Sequence, residues 1–181
     1  MCPLFLGLEV WSVFLTAKGK LILSLLVFII LLDQLSKFIV DRTMALNHSI
    51  PVIQNLFSLT YIRNTGAAFG ILAGSDAAYR LPILIVFSLL AIGFIGMMLR
   101  RLPESEKGLI TALTFIMGGA IGNLIDRVVY GEVIDFLDFY WSQFHWPAFN
   151  FADSFITLGV VITSYYIIRS KGEDPFSLVR R

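Results

Sequence analysis

The chain reads as a membrane all-α protein with a small β element: four transmembrane helices plus a small β-sheet and loop region at the outer membrane interface. Three observations predict that class. The 181 residues are 57% hydrophobic and 15% charged, with a mean hydropathy of +0.80. Uncharged runs at Leu81–Leu99 and Gly108–Ile125 are long enough to cross a bilayer as helices of about 20 residues. Lysine and arginine are distributed unevenly between the two sides that such spans create.

The first span is uncharged from Leu21 to Leu32, and its apolar character continues past Asp33 and Lys37 to Val40. Leu81–Leu99 and Gly108–Ile125 supply the second and third. The fourth runs from Ser154 to Ile168, with Phe149–Asp153 completing its length. With a cytoplasmic N-terminus, the inner side holds nine basic residues (Lys18, Lys20, Arg100, Arg101, Lys107, Arg169, Lys171, Arg180 and Arg181). The outer side then holds four, Arg42, Arg63, Arg80 and Arg127. That asymmetry fits the positive-inside rule with both termini inside.

Between the spans, Ser49–Ile53 and Leu56–Ile62 are rich in β-branched and aromatic residues and predict short strands. Asn64-Thr-Gly-Ala-Ala-Phe-Gly70 follows as a turn-rich loop, and Leu72–Arg80 as a short surface helix. Val133–Phe139 alternates like a third strand. Phe136, Phe139, Tyr140, Trp141, Phe144 and Trp146 crowd the same connection, as an aromatic interface belt does. Residues 1–17 form an apolar leader with no assigned role, 18–170 the membrane domain, and 171–181 a cytoplasmic tail. The single cysteine, Cys2, excludes an intrachain disulfide and a multi-cysteine metal site. A net charge of +1 offers nothing to a nucleic acid.

Polar residues beside these spans carry the functional information. Asp135 and Asp153 stand at opposite ends of one short outer connection. A carboxylate near hydrocarbon is costly to keep charged, so such residues usually serve function. Two carboxylates that share one proton supply a base and an acid in one site, which is the chemistry of an aspartic peptidase. Capping of the fourth helix by Asn150 or Asp153 is the competing reading of that pair. Asp138 lies three residues beyond Asp135 on a strand, so only one of the two can face Asp153.

Asp33 and Lys37 are spaced for a helical ion pair, either structural or facing the polar part of a substrate. Gly118 and Gly122 match GxxxG spacing, which reads as close helix packing. Asn123 and Asp126 share a helix face, with Asp126 expected to be paired and structural, whereas Arg127 points elsewhere. Asn150 is placed to orient Asp153 or bind a peptide carbonyl. His48 and His145 lack partners at metal-ligand spacing and read as loop histidines, and no metal or other cofactor is expected.

Five blocks occur in order: Asp33-Gln-Leu-Ser-Lys37, Asn64-Thr-Gly-Ala-Ala-Phe-Gly70, Gly118-Gly-Ala-Ile-Gly-Asn-Leu-Ile-Asp-Arg127, Val133-Ile-Asp-Phe136 and Phe149-Asn-Phe-Ala-Asp-Ser154. Together they resemble the lipoprotein signal peptidases (signal peptidase II) of bacteria, across about residues 20–168. The resemblance implies a multi-pass inner-membrane aspartic endopeptidase, inhibited by globomycin, with its sheet and active site at the periplasmic face. Such enzymes remove the signal peptide of a prolipoprotein just before its lipid-modified cysteine. Carried over by motif, Asp135 and Asp153 are the catalytic pair. Asn64, Gly66, Asn123, Arg127 and Asn150 bind substrate or support the site, and Asp33, Lys37 and Asp126 are structural. The expected partners are the lipidated prolipoprotein and membrane lipid, with the enzyme a monomer. A small ion transporter or channel component is the rival class, disfavoured by the missing inverted repeat and by charges gathered at one face.

Overall fold

The structure, a computed structural model, describes residues 16–66 and 76–169. Most of the expected leader, residues 67–75 and the tail from residue 170 lie outside the described residues. So does the start of the helix expected at Leu72–Arg80; its last residues are the first turn of a membrane helix. The elements are α1 (Ala17–Thr43), β1 (Ser49–Ile53), β2 (Phe57–Asn64), α2 (Ala77–Arg101), α3 (Lys107–Tyr130), β3 (Val133–Trp141), β4 (Phe144–His145) and α4 (Phe151–Arg169). All four helices are long and apolar enough to cross a membrane. The fold class is the one the sequence predicts.

Helix α3 is the centre of the bundle. Of its most apolar stretch 56% is buried, against 11–17% in the other three helices. Small residues let the neighbours come close. Gly118 and Gly122 face α1, where a Cβ would press on the side chains of Ile29 and Asp33. Gly119 faces α4, where a Cβ would run into the carbonyl oxygen of Ala152, and Gly159 answers from α4 against the carbonyl of Ala112. The GxxxG pair thus serves the α1 interface, Gly122 also lying against Ala152 of α4, and the neighbouring Gly119 serves α4. Large apolar side chains such as Phe28, Leu35, Phe87, Phe94 and Val161 point outward, as the lipid-facing surface of a bundle requires.

A buried cluster of Leu99, Leu102, Leu109, Ile110 and Leu113 closes one end of the bundle. There Lys18 Nζ donates to the Leu102 carbonyl oxygen at 2.6 Å, tying the start of α1 to the end of α2. At the other end lies a four-stranded antiparallel sheet in the order β1-β2-β3-β4. Val40, Tyr61, Ile134 and Phe136 form the core between α1 and this sheet.

Two features of the sheet place the site. The β2–β3 register pairs Ile62 with Asp135 and Asn64 with Val133, which brings the end of β2 beside Asp135. Phe149 forms an isolated bridge with Leu137, so it belongs to the sheet and α4 starts two residues later. The expectation that Phe149 and Asn150 complete the fourth span is corrected on this point. Backbone pairing with β3 holds Phe149, and Asn150 caps the helix.

Candidate active site

The start of α4 contains a reciprocal cap. Asn150 Oδ1 accepts from the backbone N–H of Asp153 at 2.9 Å, and Asp153 Oδ2 accepts from the backbone N–H of Asn150 at 3.3 Å. This is the capping-box arrangement, which satisfies donors that a helix N-terminus leaves unpaired. The same asparagine reaches across to β3, where its Nδ2 donates to Asp135 Oδ1 at 2.7 Å. The cap is present, and its asparagine also bridges the two carboxylates.

Each carboxylate has further donors. Asn64 Nδ2 donates to Asp135 Oδ2 at 3.0 Å, while Asn64 Oδ1 accepts from the N–H of Gly66 at 2.9 Å in a tight local turn. Asn123 Nδ2 donates to Asp153 Oδ1 at 2.7 Å. Asp135 is buried, with 2% of its surface exposed, whereas Asp153 is partly open. Burial raises the Asp135 carboxyl from 3.8 to about 7, and the charge of Asp153 adds to that rise. Its hydrogen bonds from Asn64 and Asn150, and the charge of Lys37, pull the other way without cancelling it. Asp153 instead sits in the first turn of α4, where the helix dipole favours negative charge.

Arg127 leaves α3 on a different side from Asp126. Its guanidinium donates to the Asn123 carbonyl at 3.3 Å and to the Gly66 carbonyl at 3.2 Å. It therefore ties the Asn64–Gly66 turn to the helix that carries Asn123.

Beneath the pair lies a second polar layer, sealed from solvent. Lys37 Nζ is 2.8 Å from Asp33 Oδ2, 2.9 Å from Asp126 Oδ2 and 3.0 Å from Asn123 Oδ1. Asn123 Oδ1 also accepts from Asn150 Nδ2 at 3.1 Å, so the two layers are one hydrogen-bonded network. All ten residues singled out in the sequence thus meet at the sheet end of the bundle.

Asp138 lies on the opposite side of β3, as strand alternation requires. It accepts from Thr60 Oγ1 at 3.0 Å and pairs with His145 Nδ1 at 3.0 Å. Sequence reasoning missed two contributors. Gln34 joins the buried layer, and its signal was an amide inside an apolar span, next to Asp33. Asp41, Tyr61 and Arg63 form a further cluster fastening α1 to β2: Arg63 donates to Asp41 at 2.6 Å and to the Tyr61 hydroxyl at 2.7 Å, and that hydroxyl donates to Asp41. Only the pairing of β2 alongside the end of α1 brings those three together, so no local pattern announced them.

Four helices able to span a membrane, with two carboxylates bridged by one asparagine at the sheet end, define a multi-pass membrane protein. The family model described as signal peptidase (SPase) II matches residues 25–169. The lipoprotein signal peptidase of Geobacter sulfurreducens is 53% identical over 142 residues, covering 78% of this chain and 88% of that protein. That of Nitratidesulfovibrio vulgaris is 44% identical over 160 residues, covering 88% and 96%. A bacterial membrane enzyme solved by the in meso method at 2.3 Å superposes with a TM-score of 0.73 at 31% identity, covering 85% of this chain and 90% of that one. The chain belongs to the signal peptidase II family.

Proposed function

We propose that Asp135 and Asp153 are the catalytic pair with which this peptidase removes signal peptides from prolipoproteins. The observation that carries this reading is Asn150. It donates its side-chain amide to one carboxylate and its backbone N–H to the other, holding two acids of unlike environment in one site. Asp135, buried and raised to about 7, holds the shared proton at rest. Asp153, at the helix N-terminus with Asn123 as donor, is the charged partner.

In the reaction, Asp153 takes a proton from water as the water oxygen attacks the scissile carbonyl carbon. Asp135 gives its proton to the carbonyl oxygen, so the tetrahedral intermediate forms neutral. Collapse passes the proton on Asp153 to the leaving nitrogen. Asp135 recovers its own proton as the carbonyl reforms, and both groups return to their starting state. Arg127 and Asn64 line the approach and position the peptide, and no cofactor takes part.

The substrate is proposed to carry a lipid-modified cysteine, with cleavage just before it. The enzyme acts as a monomer in the bacterial inner membrane, with no nucleic-acid partner. Both termini are cytoplasmic and the sheet end faces the periplasm, which the nine-to-four distribution of basic residues supports. The deciding experiment compares cleavage of a diacylglyceryl prolipoprotein by wild type, Asp135→Asn and Asp153→Asn, each confirmed folded. Loss of cleavage in both variants is expected. Near-full activity in either one overturns the assignment, and ion flux through liposomes carrying the wild type would favour the transporter class instead.

A further inference from the structure

The buried polar layer touches the backbone at two points that correspond to each other. Asp33 Oδ1 accepts from the N–H of Ala152, the residue before Asp153, at 2.9 Å. Asp126 Oδ2 accepts from the N–H of Ile134, the residue before Asp135, at 3.1 Å. Lys37 lies within 2.9 Å of both carboxylates and joins the two grips.

Gln34 joins them a second time. Its Nε2 is 3.1 Å from Asp33 Oδ2, 3.0 Å from Asp126 Oδ1 and 3.2 Å from the Gly122 carbonyl. One ammonium faces two buried carboxyl groups, and buried acceptors left without a donor are costly. A neutral amide that donates to both carboxylates offsets that cost without a second cation.

We infer that Gln34, with Asp33, Lys37 and Asp126, is a positioning frame that sets the separation of Asp135 and Asp153 by holding the peptide N–H immediately before each. The inference rests on the reading of that pair as catalytic. Each held N–H fixes the planar peptide that ends at the Cα of residue 134 or 152, and the next planar peptide carries a shift there on to the aspartate's Cα. Misplacing a reacting group by about 1 Å can cost about a hundredfold in rate. Gln34 is the informative member because it is only half-buried. Methionine has similar length and suits an apolar surface, so Gln34→Met keeps the packing while removing the donor.

The test is steady-state cleavage of a diacylglyceryl prolipoprotein by wild type, Gln34→Met and Asp33→Asn, alongside Asp135→Asn and Asp153→Asn. Folded fraction is measured for each by thermal unfolding in detergent. The frame predicts kcat lowered about tenfold or more per folded molecule in Gln34→Met, with KM changed less than about twofold. Asp33→Asn, which keeps an oxygen facing Ala152, loses kcat in the same way and decides the matter should Gln34→Met fold poorly. Wild-type kcat per folded molecule, with only the melting temperature lowered, overturns the frame and leaves the pair intact. Activity retained in Asp135→Asn or Asp153→Asn overturns the pair, and the frame with it.

Discussion

Asn150 and Asp153 cap each other at the start of α4, through a 2.9 Å bond in one direction and a 3.3 Å bond in the other. The proposed base is therefore also part of the helix terminus, and its orientation is set by backbone geometry rather than by a free rotamer. Asn150→Asp separates the two duties of the asparagine. An aspartate still caps the helix, but an acceptor replaces the donor facing Asp135 and adds a third carboxyl group. Melting temperature should change modestly while kcat falls by about a hundredfold, the cost of losing one oriented site group. Asn150→Ala removes the cap as well and should lose about 1 kcal/mol more from that source. Cleavage rates and unfolding curves of both variants check this.

The raised carboxyl of Asp135 makes stability depend on pH in a definite direction. Its value moves from 3.8 to about 7 on folding, so between those limits the folded protein holds a proton that the unfolded chain has released. The stabilisation from this group is complete below about pH 4 and is lost as pH rises through about 7. Asp135→Asn does not titrate, so its melting temperature relative to wild type should rise from pH 4 to pH 8. Wild-type kcat should decline over the upper part of that range as the resting acid loses its proton, with the pair titrating as a unit. Parallel melts at pH 5 and pH 8 test the first statement, and a kcat profile tests the second. A melting difference that does not change with pH removes the acid role from Asp135.

These dependences show what could be read from the chain alone. The spans were legible because hydrocarbon demands long apolar runs, and the strands at Ser49, Leu56 and Val133 because β-branched and aromatic residues cluster there. Asp135 and Asp153 stood out because charge is rare beside such runs. The grips of Asp33 on Ala152 and of Asp126 on Ile134 were not legible, since every residue but proline carries the same backbone N–H. The start of α4 was misplaced because Phe149 is equally suited to a membrane helix and to a strand partner. Backbone pairing with Phe136 and Leu137 of β3 decides it.

Close packing of α3 on α4 gives a third prediction. A Cβ at position 119 meets the Ala152 carbonyl oxygen, which is backbone and cannot swing away, whereas one at Gly96 meets nothing within 4 Å. Gly119→Ala should destabilise the protein by about 1–3 kcal/mol through overpacking. It should also lower activity, because pushing the helices apart separates Asn123 from Asp153. Gly96→Ala should retain both stability and activity. Equal behaviour of the two variants in unfolding and cleavage assays counts against the tight α3–α4 contact.

Lipid on the substrate should matter as much as the peptide. Ile156 and Val160, three and seven residues after Asp153, lie on its side of α4, and Val160 is exposed. Apolar surface that can take acyl chains thus continues along α4 from Asp153. Each buried CH₂ contributes roughly 0.8 kcal/mol when taken from water, so fewer than two methylenes correspond to about a tenfold preference. Chains already dissolved in bilayer gain less per methylene, yet a diacylglyceryl group carries many more than two. A precursor whose lipobox cysteine is left unmodified should show kcat/KM reduced by at least about tenfold at matched enzyme and detergent. Equal turnover of the two substrates would mean that this surface along α4 holds only the signal peptide.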